Sequence, residues 1–322
     1  CDTDVDGKHT GTDMGNALKK RMEMGFTFLK MDLGIELMLD EPGCLNAPLG
    51  FLEDIKKYSM KAINHQKGSI DMDMMLGKNY ETFTIPHHAT GIHLTQKGMD
   101  YLENYVKEVR DVIGYEVPLA IDHFGHIAIE DCIAFARRLE KYNIAWIEDI
   151  APWQYTRHFV KIANSTTVPI CTGEDIYLHE NFEPLMSEGG VSVIHPDVLT
   201  VGGCLEMKKL GDMCDKYGVA MAIHMAESPI ACMAAIHCAA AVQNVLAVEY
   251  HSTDCPWWND LAIGIDNPLI KDGFARVPEK PGLGIDSLNE ELIAEHIHEK
   301  YPGQWESTEC WDKEWANDRE WS

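Results

Sequence analysis

From about residue 100 onward, short apolar runs alternate with amphipathic stretches. The apolar runs cover residues 117–122, 144–148, 168–174, 191–197, 219–224 and 245–249. They are nearly continuous rather than alternating, as expected of strands buried on both faces. Between them the spacing predicts helices. Residues 130–142 set Ile133, Ala136 and Leu139 on one stripe, and residues 203–214 do the same with Leu205, Leu210 and Met213. Upstream, a helix over residues 14–25 ends at Gly25, a C′ glycine, and leads into a further strand over residues 26–32. Strands alternating with helices predict an α/β fold, a parallel sheet covered outside by helices, and a TIM-type barrel accommodates that rhythm. If 26–32 is the second barrel strand, the chain begins at or just after the first.

The six later runs end in Asp122, Glu148, Glu174, Asp197, His224 and Glu249, at successive spacings of 26, 26, 23, 27 and 25 residues. One βα unit needs about that length, so six consecutive units each deliver an acid or an imidazole at the carboxyl end of a strand. In a closed barrel those ends converge on the face where active sites are built. Residues 33–97 break the rhythm and read as an insertion over that face, a lid or an oligomer contact. After Glu249, residues 273–286 read as a hairpin-like tail. A helix follows, with Ser287 as N-cap and Glu290 completing a capping box, and then a Trp-rich end. The domain reading is a barrel over 1–270 and a C-terminal segment over 271–322.

Composition narrows the partners. With 52 acidic against 27 basic residues the net charge is −25, which argues against nucleic acid and anionic membranes, both of which need clustered Lys and Arg. No apolar run is long enough to span a bilayer, and the first residues lack the basic and apolar regions of a signal peptide. The ten cysteines form no Cys-x2-Cys pair, so zinc-ribbon and redox motifs fail, and a reduced, cytoplasmic thiol set is expected.

The strand-end residues suggest a chemistry. Asp122, Glu148 and Glu174 on adjacent strands cannot all stay ionised at close range without a cation, and an all-oxygen set favours Mg2+ over zinc. Asp197 beside His224 would fix the imidazole tautomer and raise its basicity, making a general base. Lys30 would face the same mouth and stabilise negative charge or act as a base, and Glu249 would hydrogen-bond or protonate an oxygen of a bound anion. A zinc hydrolase would want a His-x-His pair. None is visible, and the residue two after His224 is Ala226.

These residues resemble a known pattern. Lys30-Met-Asp32, Ile121-Asp122, Trp146-Ile-Glu148-Asp-Ile-Ala-Pro152, Thr172-Gly-Glu174, Pro196-Asp197-Val-Leu-Thr-Val-Gly-Gly203, Ile223-His224, Val248-Glu249 and Pro281-Gly-Leu-Gly284 together resemble the enolase superfamily, specifically its mandelate racemase-like subgroup. The resemblance implies a (β/α)7β barrel with Mg2+ on Asp122, Glu148 and Glu174. The metal would chelate a substrate carboxylate, and His224 with Asp197 would remove the α-proton to give an enediolate. Many relatives carry Lys-x-Lys on strand two, whereas this chain has Asp32 at the second lysine. A strong base on only one face favours β-elimination of water from a sugar acid over racemisation. Ring opening of an anhydro-sugar acid by a cycloisomerase is the close variant, epimerisation a further one, and a non-catalytic binding barrel the contrasting class. His126 or His123 could act as the leaving-group acid, and Tyr80, His87, His88 and His93 as lid residues. The family's N-terminal α+β capping domain has no counterpart in these residues, so the sequence reads as a piece of a longer protein or one capped by another segment, with weak turnover expected without it. A homo-oligomer is expected.

Overall fold

The computed structural model describes residues 1, 3, 5, 9–48, 50, 52, 91–122 and 127–297. Seven strands form one parallel sheet in chain order: β1 (Leu29–Asp32), β2 (Leu119–Asp122), β3 (Ile144–Glu148), β4 (Ile170–Thr172), β5 (Val193–Ile194), β6 (Ala220–Ile223) and β7 (Val245–Val248). Each lies inside an apolar run of the sequence. The pairing keeps the carboxyl ends level: Asp32 lies opposite Asp122, Glu148 opposite Cys171, and an isolated parallel bridge joins Asp197 to His224. The sheet curls, and the α-helices of the described residues are α1 (Gly11–Glu23), α2 (Gln96–Ile113), α3 (Ile129–Leu139), α4 (Thr156–Ala163), α5 (Glu183–Ser187), α6 (Val198–Val201), α7 (Cys204–Tyr217), α8 (Pro229–Ala241) and α9 (Glu290–His296). No helix among the described residues is long and apolar enough to cross a membrane.

Local chemistry sets the helix ends. Thr10 and Asp13 form a reciprocal capping box at α1, and the chain turns out of that helix through Gly25 at φ +94°. Thr95 caps α2 by accepting the Gly98 amide. Arg110 near the end of α2 is 1% exposed, and its guanidinium donates to the carbonyls of Gly114, Val117, Tyr142 and Asn143. One buried cation thus ties the approaches to β2 and β3 together, with every donated bond charge-assisted.

The sheet has two sides with different contents. Between sheet and helices lies the large apolar core. Inside the curl, Ala120, Trp146, Cys171, Val193 and Ala222 form a second buried cluster with Phe28 packed against it. Between the edges of β1 and β7 sits Cys1, whose nitrogen donates to the Phe28 carbonyl (2.5 Å) and whose carbonyl accepts the Lys30 amide (2.9 Å). A cavity of about 460 Å³, largely apolar, opens beside it along Phe26, Phe28, Leu246 and Val248.

Two expectations change. The Ser287 cap gives way to Asn289, whose side chain accepts the Leu292 amide; Ser287 and Leu288 instead pair with Ile263 and Ala262, so backbone ladder bonding displaces the cap by two residues. The hairpin starts earlier, pairing Ile270–Lys271 with Phe274–Ala275. The two ends of the 33–97 insertion meet as an antiparallel pair, Leu45–Asn46 with His93–Leu94; most of the insertion, with Tyr80, His87 and His88, lies outside the described residues, as does the Trp-rich end.

Candidate active site

The period-two alternation of strands builds the site. Two residues beyond Phe28, Ala120, Trp146, Val193 and Ala222 stand Lys30, Asp122, Glu148, His195 and His224, on the same side of the sheet. An apolar floor thus carries an ionisable layer directly above it. At the corresponding place on β4 the residue is Gly173, where a Cβ would lie 2.8 Å from the His195 backbone.

Glu148 is 0% and Asp122 1% exposed. The Lys30 ammonium forms an ion pair with Asp122, lies 2.8 Å from Glu249 Oε1 and 3.6 Å from Glu148 Oε2. Glu148 is held from two further directions: the Trp146 indole N–H donates to Oε2 at 2.8 Å, and His195 Nδ1 pairs with Oε1. His195 Nε2 is 3.7 Å from Glu249 Oε2. Burial opposes the Glu249 carboxylate, yet the charges of Lys30, His224 and His195 hold it well below the usual carboxylate range.

Across the mouth, His224 Nδ1 lies 2.9 Å from Asp197 Oδ2, and His224 Nε2 lies 3.3 Å from Glu174 Oε2 and 3.7 Å from Glu249 Oε2. Asp197 Oδ1 also caps α6, accepting the amides of Leu199 (2.6 Å) and Thr200 (3.2 Å). Against burial, the His224 hydrogen bond and charge and the Leu199 amide keep Asp197 below its ordinary value. Burial also disfavours the imidazolium of His224, but Glu174, Glu249 and Asp197 outweigh it and raise the imidazole well above its usual range. With Nδ1–H given to Asp197, Nε2 is the basic atom and faces the acids.

Lys30, Asp122, Glu148, Glu174, Asp197, His224 and Glu249 therefore share one mouth, with a finer arrangement than their spacing shows. Oxygens of Asp122, Glu148 and Asp149 lie within 4.8 Å of one another, while Glu174 stands on the His224 side. Asp149 was missed because the strand-end pattern takes one residue per run; the signal was its position directly after Glu148. It has φ +45°, a conformation Asp tolerates better than most residues, and its carboxylate accepts from Thr172 Oγ1 at 2.6 Å. Burial first, then the charges of Glu174, Glu148 and Asp122, push Asp149 well above the ordinary range. His195 was also missed; its place two residues before Asp197 in an inward-facing run was the available signal. His123 and His126 lie outside the described residues. His93 is engaged elsewhere: its Nδ1 lies 3.0 Å from Asp131 on α3 and its side chain is 48% exposed.

The donor set suits a hard divalent cation. Asp122, Glu148 and Asp149 bring carboxylate oxygens within 4.8 Å of one another, with the Glu174 carboxylate across the same mouth, and oxygen ligands of this kind suit a hard cation. These residues fit Mg2+.

Comparison with known proteins agrees with this architecture. Residues 13–291 match the family described as enolase C-terminal domain-like. The chain is 35% identical over 209 residues to D-xylonate dehydratase of Haloferax volcanii, covering 64% of this chain and 50% of that protein. It is 27% identical over 228 residues to D-galactonate dehydratase of Variovorax paradoxus, covering 69% and 60% respectively. The chain thus spans half to three-fifths of the curated relatives it matches. Among solved structures, a mandelate racemase/muconate lactonizing enzyme-like protein from Rubrobacter xylanophilus superposes with TM-score 0.71 at 25% identity, over 94% of this chain and 68% of that one. The 3,6-anhydro-D-galactonate cycloisomerase of Zobellia galactanivorans shares the fold with TM-score 0.61 at 21% identity, over 89% and 63%. With its parallel sheet, its ring of strand-end acids and a family match across most of its length, the chain belongs to the enolase superfamily, through the enolase C-terminal domain-like family.

Proposed function

We propose that this protein is a Mg2+-dependent sugar-acid dehydratase, a hydro-lyase that removes the proton α to a carboxylate and then eliminates water. The observation that carries the reading is the orientation of His224: Nδ1 is committed to Asp197 at 2.9 Å, which leaves Nε2 toward the acid cluster as the proton acceptor. The resemblance to D-xylonate and D-galactonate dehydratases supports the substrate class.

Mg2+ would be held by Asp122, Glu148 and Glu174, with Asp149 beside them, and would supply positive charge to a substrate carboxylate and to the negative charge that grows as the proton leaves. The chain's own groups do the rest. Lys30 and Glu249 line the same mouth; the lysine adds positive charge near the substrate anion, and Glu249 orients it by hydrogen bonding. His224 Nε2 takes the α-proton, and the Asp197 carboxylate steadies the imidazolium that forms. The position that would carry an opposing lysine is Asp32, so proton return to the other face lacks a strong acid. Elimination of a β-hydroxyl is the outcome this asymmetry favours. His123 or His126 is the proposed source of the proton that leaves with the hydroxide.

The test is to incubate the full-length protein with Mg2+ and a panel of aldonic and aldaric acids, scoring 2-keto-3-deoxy products. A product that vanishes in His224→Asn supports the reading. No product from any acid, or turnover unchanged in His224→Asn, overturns it. A keto-deoxy product formed only by opening an anhydro-sugar acid would assign the cycloisomerase variant instead.

A further inference from the structure

Beside the Asp197–His224 pair stands a third ionisable side chain, supplied by a different element. Glu227 precedes Ser228, the N-cap residue of α8, and its carbonyl accepts the Trp258 indole N–H at 2.8 Å. Side-chain atoms of Asp197, His224 and Glu227 all lie within 4.8 Å of one another, which brings the carboxyl groups of Glu227 and Asp197 side by side. Two carboxyl groups this close repel when both are ionised, and a proton on one of them lets it donate to the other. Asp197 is the ionised member, since it already accepts from His224 and from the amides of Leu199 and Thr200. Among the described residues the Glu227 side chain accepts one bond, from the Ala226 amide at 3.2 Å; burial, followed by the Asp197 charge, pushes it up to about 7.

We propose that Glu227 is a positioning residue for the base: as a neutral acid it donates to Asp197 and so fixes the carboxylate that orients His224. This rests on the reading of His224 as the base. Glu174 and Glu249 cannot serve in its place, because both face Nε2 rather than Asp197, and Lys30 is engaged with Asp122 and Glu249. The remaining neighbour, the Cys232 thiol of α8, is buried and pushed up to about 12, so it stays neutral. When Glu227 loses its proton, Asp197 loses a donor and gains a second negative charge beside it.

Nuclear magnetic resonance of the 322-residue chain tests this without turnover. The Glu227 carboxyl carbon should titrate near neutral pH. The His224 Nδ1–H resonance should be sharp below that titration and broaden above it. In Glu227→Gln the amide keeps a donor, and the resonance should persist across the whole range; in Glu227→Leu it should be broad throughout. In turnover assays, Glu227→Leu should lower kcat about tenfold, the worth of one charged hydrogen bond, with KM unchanged, and Glu227→Gln should restore most of it. A wild-type Glu227 that titrates in the ordinary carboxylate range overturns the proposal, and so does a His224 signal indifferent to Glu227→Leu. If spectra are indifferent while His224→Asn is inactive, only the role of Glu227 falls. If His224→Asn keeps full turnover, the base assignment falls first and the positioning role with it.

Discussion

The two sides of the mouth bury charge in different ways. On the β1–β3 side a fixed cation is inserted among acids: Lys30 contacts Asp122, Glu148 and Glu249, and Glu148 takes further donors from Trp146 and His195. On the β5–β6 side no lysine or arginine enters among the described residues; Asp197, His224 and Glu227 balance charge by sharing protons. The first arrangement is built on a lysine cation fixed between acids and suits holding ions in place. The second changes with a single proton and suits moving one. The lysine side is the deeper one, with Glu148 fully buried and the His224 side chain 13% exposed. The two sides also differ in how charge is neutralised, which separates holding from proton transfer.

The sharpest way to break this contrast is at His224. His224→Asn should lower kcat/KM by about 10³-fold, within the range of a lost general base, while Mg2+ binding measured by calorimetry stays within a few fold. Equal loss of metal binding would mean that the two sides are one site with no division of labour. On the opposite side, Glu148→Gln should weaken Mg2+ about 100-fold and leave the pH dependence of the His224 imidazole in place. Trp146→Phe keeps the ring in the floor but removes the indole donor to Glu148; outer partners of metal ligands are worth about 10–100-fold in affinity, and the lower end is expected here.

The pH dependence of stability separates the sides in sign. Asp149 is raised above its unfolded value, so the stability tied to it is complete below the ordinary aspartate range and is lost as pH rises toward its folded value. Asp197 is depressed, so its contribution is present above the ordinary range and lost as pH falls. In chelator-treated protein, Asp149→Asn should therefore remove a loss of Tm on the alkaline side, and Asp197→Asn should remove one on the acid side. Thermal scans from pH 3 to 8 check both, and a common direction for the two variants would refute the assignment. The smallest effect belongs to His93→Ala, which touches only the exposed pair with Asp131 and should change stability by no more than about 0.5 kcal/mol and turnover not at all.

Much of this division was legible in the sequence, because a βα repeat converts even spacing into convergence. The ladder ends where the apolar runs end, most closely at Ile144–Glu148. Helix α8 was harder to read: Ala231 to Ile236 are all buried, and an apolar surface on every face leaves no 3.6-residue period. Within the site, spacing located one residue per strand but not the partners that depend on which way a chain leaves its strand. Asp149 enters through a left-handed backbone and Glu227 through a loop anchored by Trp258. His195 was hidden differently, since its neighbour Asp197 satisfied the pattern and drew the assignment.

The apolar floor of Ala120, Trp146, Cys171, Val193 and Ala222 has an electrical consequence. It screens almost nothing, so field lines from the acids above it are turned outward through the mouth instead of leaking into the body of the protein. An arriving anion with its counter-ion would meet a directed potential, and widening the floor with water, as Trp146→Ala would do, should blunt that potential even where no ionisable group has been changed.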